Sequence, residues 1–268
     1  MTDQPAAPRR ESITVPGLFE VPGLVLGEGE LTLLLHGSAD SASCWRGVMP
    51  RVPGRVVAPS LVAARESMGG PTAGEGALRV DVRWLMPLLE HLKPRAVVGH
   101  SYGALLALRA RLAGAEVGRL VLIEPIAFGL LEGPDRAAID TLNDGFFGGV
   151  ARGDLEGGLR GLVDYWNGPG AFDALPASAR QRLILGADHT QAEVRSGLED
   201  RTHGSELASL AGSLVLAGEH TTPESQRVCE LLARGLGGEC ETIAGAGHQG
   251  PRSHPEAVAS AVVEWLER

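Results

Sequence analysis

Gly99-His100-Ser101-Tyr102-Gly103 is the stretch of this chain best suited to covalent chemistry. A serine hydroxyl is a weak nucleophile until it is exposed in the right geometry and a base takes its proton. This serine follows the apolar run Ala96-Val97-Val98 and precedes the helical pattern Tyr102–Leu112. A turn from strand to helix that tight strains the serine backbone and leaves no room for side chains at positions 99 and 103. In return the hydroxyl stands at a helix start, where amide N–H groups point outward. A base working near neutral pH must be a histidine or a strongly shifted carboxylate. His248, in Gly245-Ala246-Gly247-His248-Gln249-Gly250, has glycines on both sides that let its ring swing into a crevice. His36 and His100 are built into other motifs, His91 lies in a helical pattern, and His254 precedes Pro255 at a helix start. His189, His203 and His220 have no such setting and read as exposed or insertion side chains. Acyl transfer also needs two backbone N–H donors for the negative charge that develops on the carbonyl oxygen. The N–H of Tyr102 is one by the geometry of the turn, and that of Ser38, after His36-Gly37, is the expected second.

The elements that must position these groups alternate in type. Short apolar runs stand at Leu31–Leu35, Arg55–Ala58, Ala96–Val98, Leu120–Ile123, Leu214–Ala217 and Glu239–Ile243. Runs apolar on both faces fit the interior of a parallel sheet. Helical patterns lie between or after them at Val80–Leu92, Tyr102–Leu112, Pro223–Leu236 and Pro255–Leu266. Strand and helix in repetition predict an α/β protein with a doubly wound, mostly parallel sheet. The rhythm breaks over residues 127–207, which are Gly-rich and amphipathic around Ala137–Phe147, Leu155–Trp166 and Ala177–Leu185. A helical lid over the carboxyl ends of the strands, where ligands bind in such sheets, accounts for this break. Trp45, just after the His-Gly loop, and Tyr165 and Trp166, in the insertion, are candidate substrate-binding pocket walls.

Composition bounds the rest. The chain has 268 residues, 44% hydrophobic and 21% charged, which suits one core domain with an insertion. A net charge of −9 disfavours nucleic acid and anionic membranes as partners. Cys44, Cys229 and Cys240 are odd in number and widely spaced, which suggests neither a disulfide framework nor a zinc site. Residues 1–11 are polar and read as a flexible leader without the apolar core of a signal peptide. No apolar stretch is long enough to span a bilayer. The expectation is a cytoplasmic protein, monomer or homodimer, acting on a small molecule without metal or cofactor.

His36-Gly37-Ser38, Gly-His-Ser-Tyr-Gly at 99–103 and Gly-Ala-Gly-His at 245–248 together resemble the α/β-hydrolase superfamily, most closely its small esterases, lactonases and carbon–carbon bond hydrolases. The resemblance covers residues 12–126 and 208–268, leaves the cap at 127–207 unassigned, and includes the chain order, nucleophile first and histidine last. It implies a serine hydrolase that cleaves an ester, thioester or lactone of a small apolar substrate. A carbon–carbon bond hydrolase or biosynthetic cyclase on the same residues, or a non-catalytic hydrolase-like binder, are the alternatives. A dehalogenase or epoxide hydrolase of this type would need Asp at 101. The acid departs from the pattern. Members usually carry Asp in a Gly-X-X-Asp loop after the strand that precedes the histidine strand, and here that loop reads Gly218-Glu219-His220-Thr221. Thr221 cannot supply a negative charge to an imidazolium. Glu124, at the end of the strand Leu120–Ile123, occupies a place that a minority of the superfamily uses. It is favoured over Glu219, while Asp188, in Leu185-Gly186-Ala187-Asp188, imitates the pattern but falls inside the insertion.

Overall fold

The computed structural model of the protein describes residues 7–70, 76–202 and 204–268. Its elements follow in chain order. Strands β1 (Arg9–Val15), β2 (Phe19–Leu26), β3 (Leu31–Leu35) and β4 (Arg55–Pro59) come first, then helices α1 (Leu61–Ser67) and α2 (Ala77–Leu92). Next come β5 (Ala96–His100), α3 (Tyr102–Leu112) and β6 (Arg119–Ile123). Helices α4 (Gly133–Arg152), α5 (Leu155–Asn167), α6 (Ala171–Ala174), α7 (Ala177–Leu185), α8 (Ala187–Glu199) and α9 (Gly204–Leu207) fill the space to β7 (Leu214–Gly218). The chain ends with α10 (Pro223–Gly235), β8 (Cys240–Ile243), α11 (Gly250–Ser253) and α12 (Pro255–Glu267).

One eight-stranded sheet runs in the order β1-β2-β4-β3-β5-β6-β7-β8. From β4 to β8 neighbours are parallel, with Leu33 opposite Val97 and Val98 opposite Val121. The β1–β2 and β2–β4 pairs are antiparallel. Strands β3, β5 and β7 are buried along their whole length, as the unbroken apolar runs require. Side chains alternate between the two faces. Leu33 and Leu35 belong to the core on one face of the sheet, shared with Leu85 of α2, Leu105 of α3 and Val228 of α10. Leu34 belongs to the core on the other face, shared with Val258 and Val262 of α12 and with the turn at Ala42–Gly47. Helices therefore cover both faces, which is the doubly wound arrangement.

The antiparallel pair corrects the reading of the amino terminus. Arg9, Arg10 and Glu11 pair with Val25, Leu24 and Gly23, so residues expected in a leader belong to the sheet edge. Backbone pairing with β2 supplies the order that their polar side chains do not. The part of the expected leader at 1–6 lies outside the described residues. Between β6 and β7 the expected helical insertion is present, and it carries a small core of its own from Phe146, Leu159, Leu162, Phe172 and Ala187.

Candidate active site

Ser101 sits between β5 and α3 with φ 54° and ψ −117°, a region that L-residues occupy only under constraint. Its N–H donates to the Ile123 carbonyl at 2.9 Å, tying the turn to the end of β6. A side chain at Gly103 would meet the carbonyl oxygens of Leu35 and His36 at 2.3 and 2.5 Å, so the start of α3 is pressed against the end of β3. The loop after β3 passes just as close, since a Cβ at Gly37 would stand 2.9 Å from that of Ser101. Ser38 and Tyr102 thereby flank Ser101, with the free first amides of α3 at its side.

Glu124 follows β6 directly. It is 1% exposed and has φ 44°, the left-handed region. Its N–H donates to Leu216 on β7 at 2.9 Å. Its Oε2 accepts from His248 Nδ1 at 2.7 Å, from Thr221 Oγ1 at 2.6 Å and from Ser225 Oγ at 3.0 Å, and its Oε1 accepts from the Gly218 N–H at 2.7 Å. Burial pushes the Glu124 carboxyl up, but the hydrogen bond and charge of His248, with Thr221 and Gly218 behind them, outweigh it and hold it at about 2. A carboxylate on Nδ1 leaves Nε2 of His248 as the nitrogen free to take a proton. Ser101 and His248 line the same cavity.

The alternative acids stand elsewhere. Glu219 turns its Oε2 to the Gly245 N–H at 2.7 Å and braces the loop that carries His248. Asp188 is exposed on α8. Thr221, third after Gly218, donates to the carboxylate that reaches in from the neighbouring strand.

His100 and His36 are structural partners of the site. His100 Nε2 donates to the His248 carbonyl at 2.7 Å and so pins the histidine loop to the elbow. Burial and then the neighbouring His248 lower its pKa to about 3, so it is neutral there. His36 accepts from the Leu61 N–H on Nε2 at 3.1 Å and donates from Nδ1 to the Gly37 carbonyl at 2.9 Å, shaping the loop that presents Ser38. Behind the two candidate oxyanion residues lies a buried ionic cluster. Tyr102 donates its hydroxyl to Asp81 Oδ2 at 2.6 Å. Arg65 grips Asp81 through Nε at 2.9 Å and Nη2 at 2.5 Å, and reaches Glu193 of α8 at 2.8 Å. Burial raises the Glu193 carboxyl to about 7 against the pull of Arg65.

The candidate pocket aromatics separate. Trp166 stacks on His248, ring centroids 4.1 Å apart and planes at 26°, and lines the cavity. Tyr165 meets Trp166 edge-on at 4.8 Å but turns its hydroxyl to Glu224 and Thr222; it does not line the cavity. Trp45 is fully buried in the core beneath the other sheet face. The helical turn at Ala42–Gly47 rolls it under the sheet, so nearness in sequence to the His-Gly loop did not translate into nearness to the cavity. Residues that the sequence reading passed over are Thr221 and Ser225 as partners of Glu124, His100 as anchor of His248, and Asn143 on the cavity wall. Only His100 carried a signal, its place inside the elbow motif. The cavity, about 540 Å³ counting its open mouth, is walled by the elbow, the Ser38 loop and the insertion helices.

The sequence profile described as "Alpha/beta hydrolase family" matches residues 32–261, most of the chain and all of the geometry just described. The chain belongs to the alpha/beta hydrolase family. Among solved structures, bromoperoxidase from Bacillus anthracis is similar at 16% identity, covering 97% of this chain and 100% of that one with a TM-score of 0.71. Epoxide hydrolase CorEH is similar at 18% identity, covering 97% and 99% with a TM-score of 0.70. Carboxylesterase CesB from Bacillus subtilis is similar at 18% identity, covering 98% and 92% with a TM-score of 0.65. Identities this low show a shared fold. Comparison of the sequence with curated proteins gives no significant match.

Proposed function

We propose that this alpha/beta hydrolase is a serine hydrolase that cleaves an ester, thioester or lactone of a small apolar molecule through a Ser101–His248–Glu124 triad. The observation that carries the reading is the buried 2.7 Å contact between His248 Nδ1 and Glu124, on the same cavity wall as a serine held at φ 54°. His248 Nε2 takes the Ser101 proton as Oγ attacks the carbonyl carbon, and the N–H groups of Ser38 and Tyr102 hold the oxyanion. Collapse of the tetrahedral intermediate breaks the bond to the leaving group, which receives the proton from His248. His248 then draws a proton from water, whose oxygen attacks the acyl-serine; as the second tetrahedral intermediate collapses, the bond to Ser101 Oγ breaks, His248 returns the proton to Oγ, and the acid leaves. Glu124 stays charged throughout and stabilises the imidazolium. The residues of this mechanism come from one chain, and the partner it needs is a small-molecule substrate. No helix among the described residues is long and apolar enough to cross a membrane.

The test is a panel of p-nitrophenyl esters of rising acyl length, run beside fluorophosphonate labelling read by mass spectrometry. The expected result is hydrolysis of the shorter esters and a label on Ser101. A label on another serine, or no label and no hydrolysis across the panel, contradicts the reading.

A further inference from the structure

The cavity wall above Ser101 is mostly apolar, from Ile126, Phe128, Leu162, Trp166 and Val194. Asn143, on α4, interrupts it. This residue is 1% exposed and lines the cavity. Its Nδ2 donates to the Ile139 carbonyl one turn back at 2.7 Å, which fixes which end of the amide is the nitrogen. Its Oδ1 is then left buried, and among the described residues it has no hydrogen-bond partner. A buried amide oxygen without a donor works against folding, so such an atom needs a reason to be kept. Thr190 of α8 lines the same cavity with its hydroxyl hydrogen committed to the Gly186 carbonyl at 3.1 Å. Asn143 thus sets a buried, unpartnered acceptor in the wall of a mostly apolar pocket.

We infer that the cavity reads a neutral hydrogen-bond donor on its substrate, a hydroxyl or secondary amide N–H remote from the scissile carbonyl, accepted by Asn143 Oδ1. Charge decides against the other ligand chemistries. No residue lining the cavity carries a carboxylate, ammonium or guanidinium group. A cationic substrate would be desolvated without a counter-charge, and an anionic one would face an acceptor. The neighbouring rings of Phe128 and Trp166, stacked at 15° and 6.2 Å, suit a flat or extended apolar body between the reacting carbonyl and that donor. The inference rests on the serine-hydrolase reading for the position of the carbonyl and adds to it a second polar group, read by Asn143.

The experiment compares matched pairs, each a hydroxyl compound beside its methyl isostere. Methyl 4-hydroxyphenylacetate with methyl 4-methylphenylacetate, and methyl 6-hydroxyhexanoate with methyl heptanoate, place the donor on the acyl side. 2-(4-Hydroxyphenyl)ethyl acetate with 2-(4-methylphenyl)ethyl acetate places it on the alcohol side. In the wild-type protein the hydroxylated member of at least one pair is expected to lead by about tenfold in kcat/KM. In Asn143→Leu, and in Asn143→Ala, which adds no bulk, that ratio is expected to fall to about one. Equal kcat/KM within every pair, or a preference that survives both substitutions, overturns the inference while leaving the hydrolase reading intact. If no ester is cleaved and Ser101 takes no fluorophosphonate, the hydrolase reading fails, and calorimetry on Ser101→Ala still decides the inference. The expected result there is about tenfold tighter binding of 4-hydroxyphenylacetamide than of 4-methylphenylacetamide, lost in Ser101→Ala/Asn143→Ala. Equal binding of the two amides overturns it.

Discussion

Ser101 and Glu124 both occupy left-handed backbone, at φ 54° and φ 44°, and both stand at the carboxyl end of a central strand. Backbone conformations of that kind cost about 1–3 kcal/mol each and persist where neighbours enforce them. Here Ser101 is tied to Ile123 and Glu124 to Leu216, so neighbouring strands hold both backbones, with Glu124 on His248 and Ser101 lining the same cavity as that histidine. Replacing Ser101 by Ala should abolish turnover while the protein still melts cooperatively, because a triad that acts as a unit loses on the order of 10⁶ with its nucleophile. Activity near wild type in that variant would show that another group attacks. Glu124 also links the site to stability. Its folded pKa of about 2 lies below the ordinary 4.5, so the native state binds that proton less readily than the unfolded chain does. Its contribution is present above pH 4.5 and is lost as pH falls toward 2. The melting temperature of Glu124→Gln should therefore trail wild type at pH 7, and the gap should close between pH 4.5 and 2. A gap that does not change with pH would mean that the carboxylate is not held as described.

At the scale of elements, the site depends on close approach and on what α8 carries. Gly103→Ala would drive a Cβ into the end of β3 and should cost about 3 kcal/mol in chemical denaturation; a neutral effect would mean that α3 is not pressed against that strand. Glu193 ties α8 to Arg65 and hence to Asp81 and Tyr102. Its pKa is raised from 4.5 to about 7 by burial, so the folded state holds its proton longer than the unfolded chain. The stability that this proton contributes is full below pH 4.5 and is lost as pH rises through 7. Wild type should lose stability relative to Glu193→Gln across that window, as read by melting temperature against pH, and parallel curves would contradict the assignment. This cluster was out of reach of sequence reading, because it joins residues 128 apart in the chain. The elbow was legible because its strand, turn and helix are contiguous. The carboxylate that meets His248 was legible by an absence, since Thr221 could not be a charged group and Glu124 ended the adjacent strand. The role of Thr221 as a donor to that same carboxylate needed the fold.

Across the whole molecule, the parallel centre of the sheet could be read from unbroken apolar runs, while its antiparallel edge could not. Strand β1, RRESITV, is exposed for much of its length, and β2 contains Pro22 and Gly23, which read as punctuation. Both strands are held by pairing with a distant partner, and pairing leaves little trace in composition. The insertion was legible as helical but not in detail. Its cavity-facing residues come from α4, α5 and α8, whose faces are chosen by packing on one another. The proposed function turns on one point, the charge that Glu124 would lend to His248 across their 2.7 Å contact. The most direct test is the rate at which a fluorophosphonate labels Ser101 at neutral pH in wild type, Glu124→Gln and Glu219→Gln. An amide at 124 removes the charge and holds the wrong imidazole tautomer, a change that costs about 10⁴ in serine proteases. Ser101 is expected to be labelled at similar rates in wild type and Glu219→Gln, and more slowly by on the order of 10³–10⁴ in Glu124→Gln. Unimpaired labelling in Glu124→Gln, or a loss confined to Glu219→Gln, would contradict it.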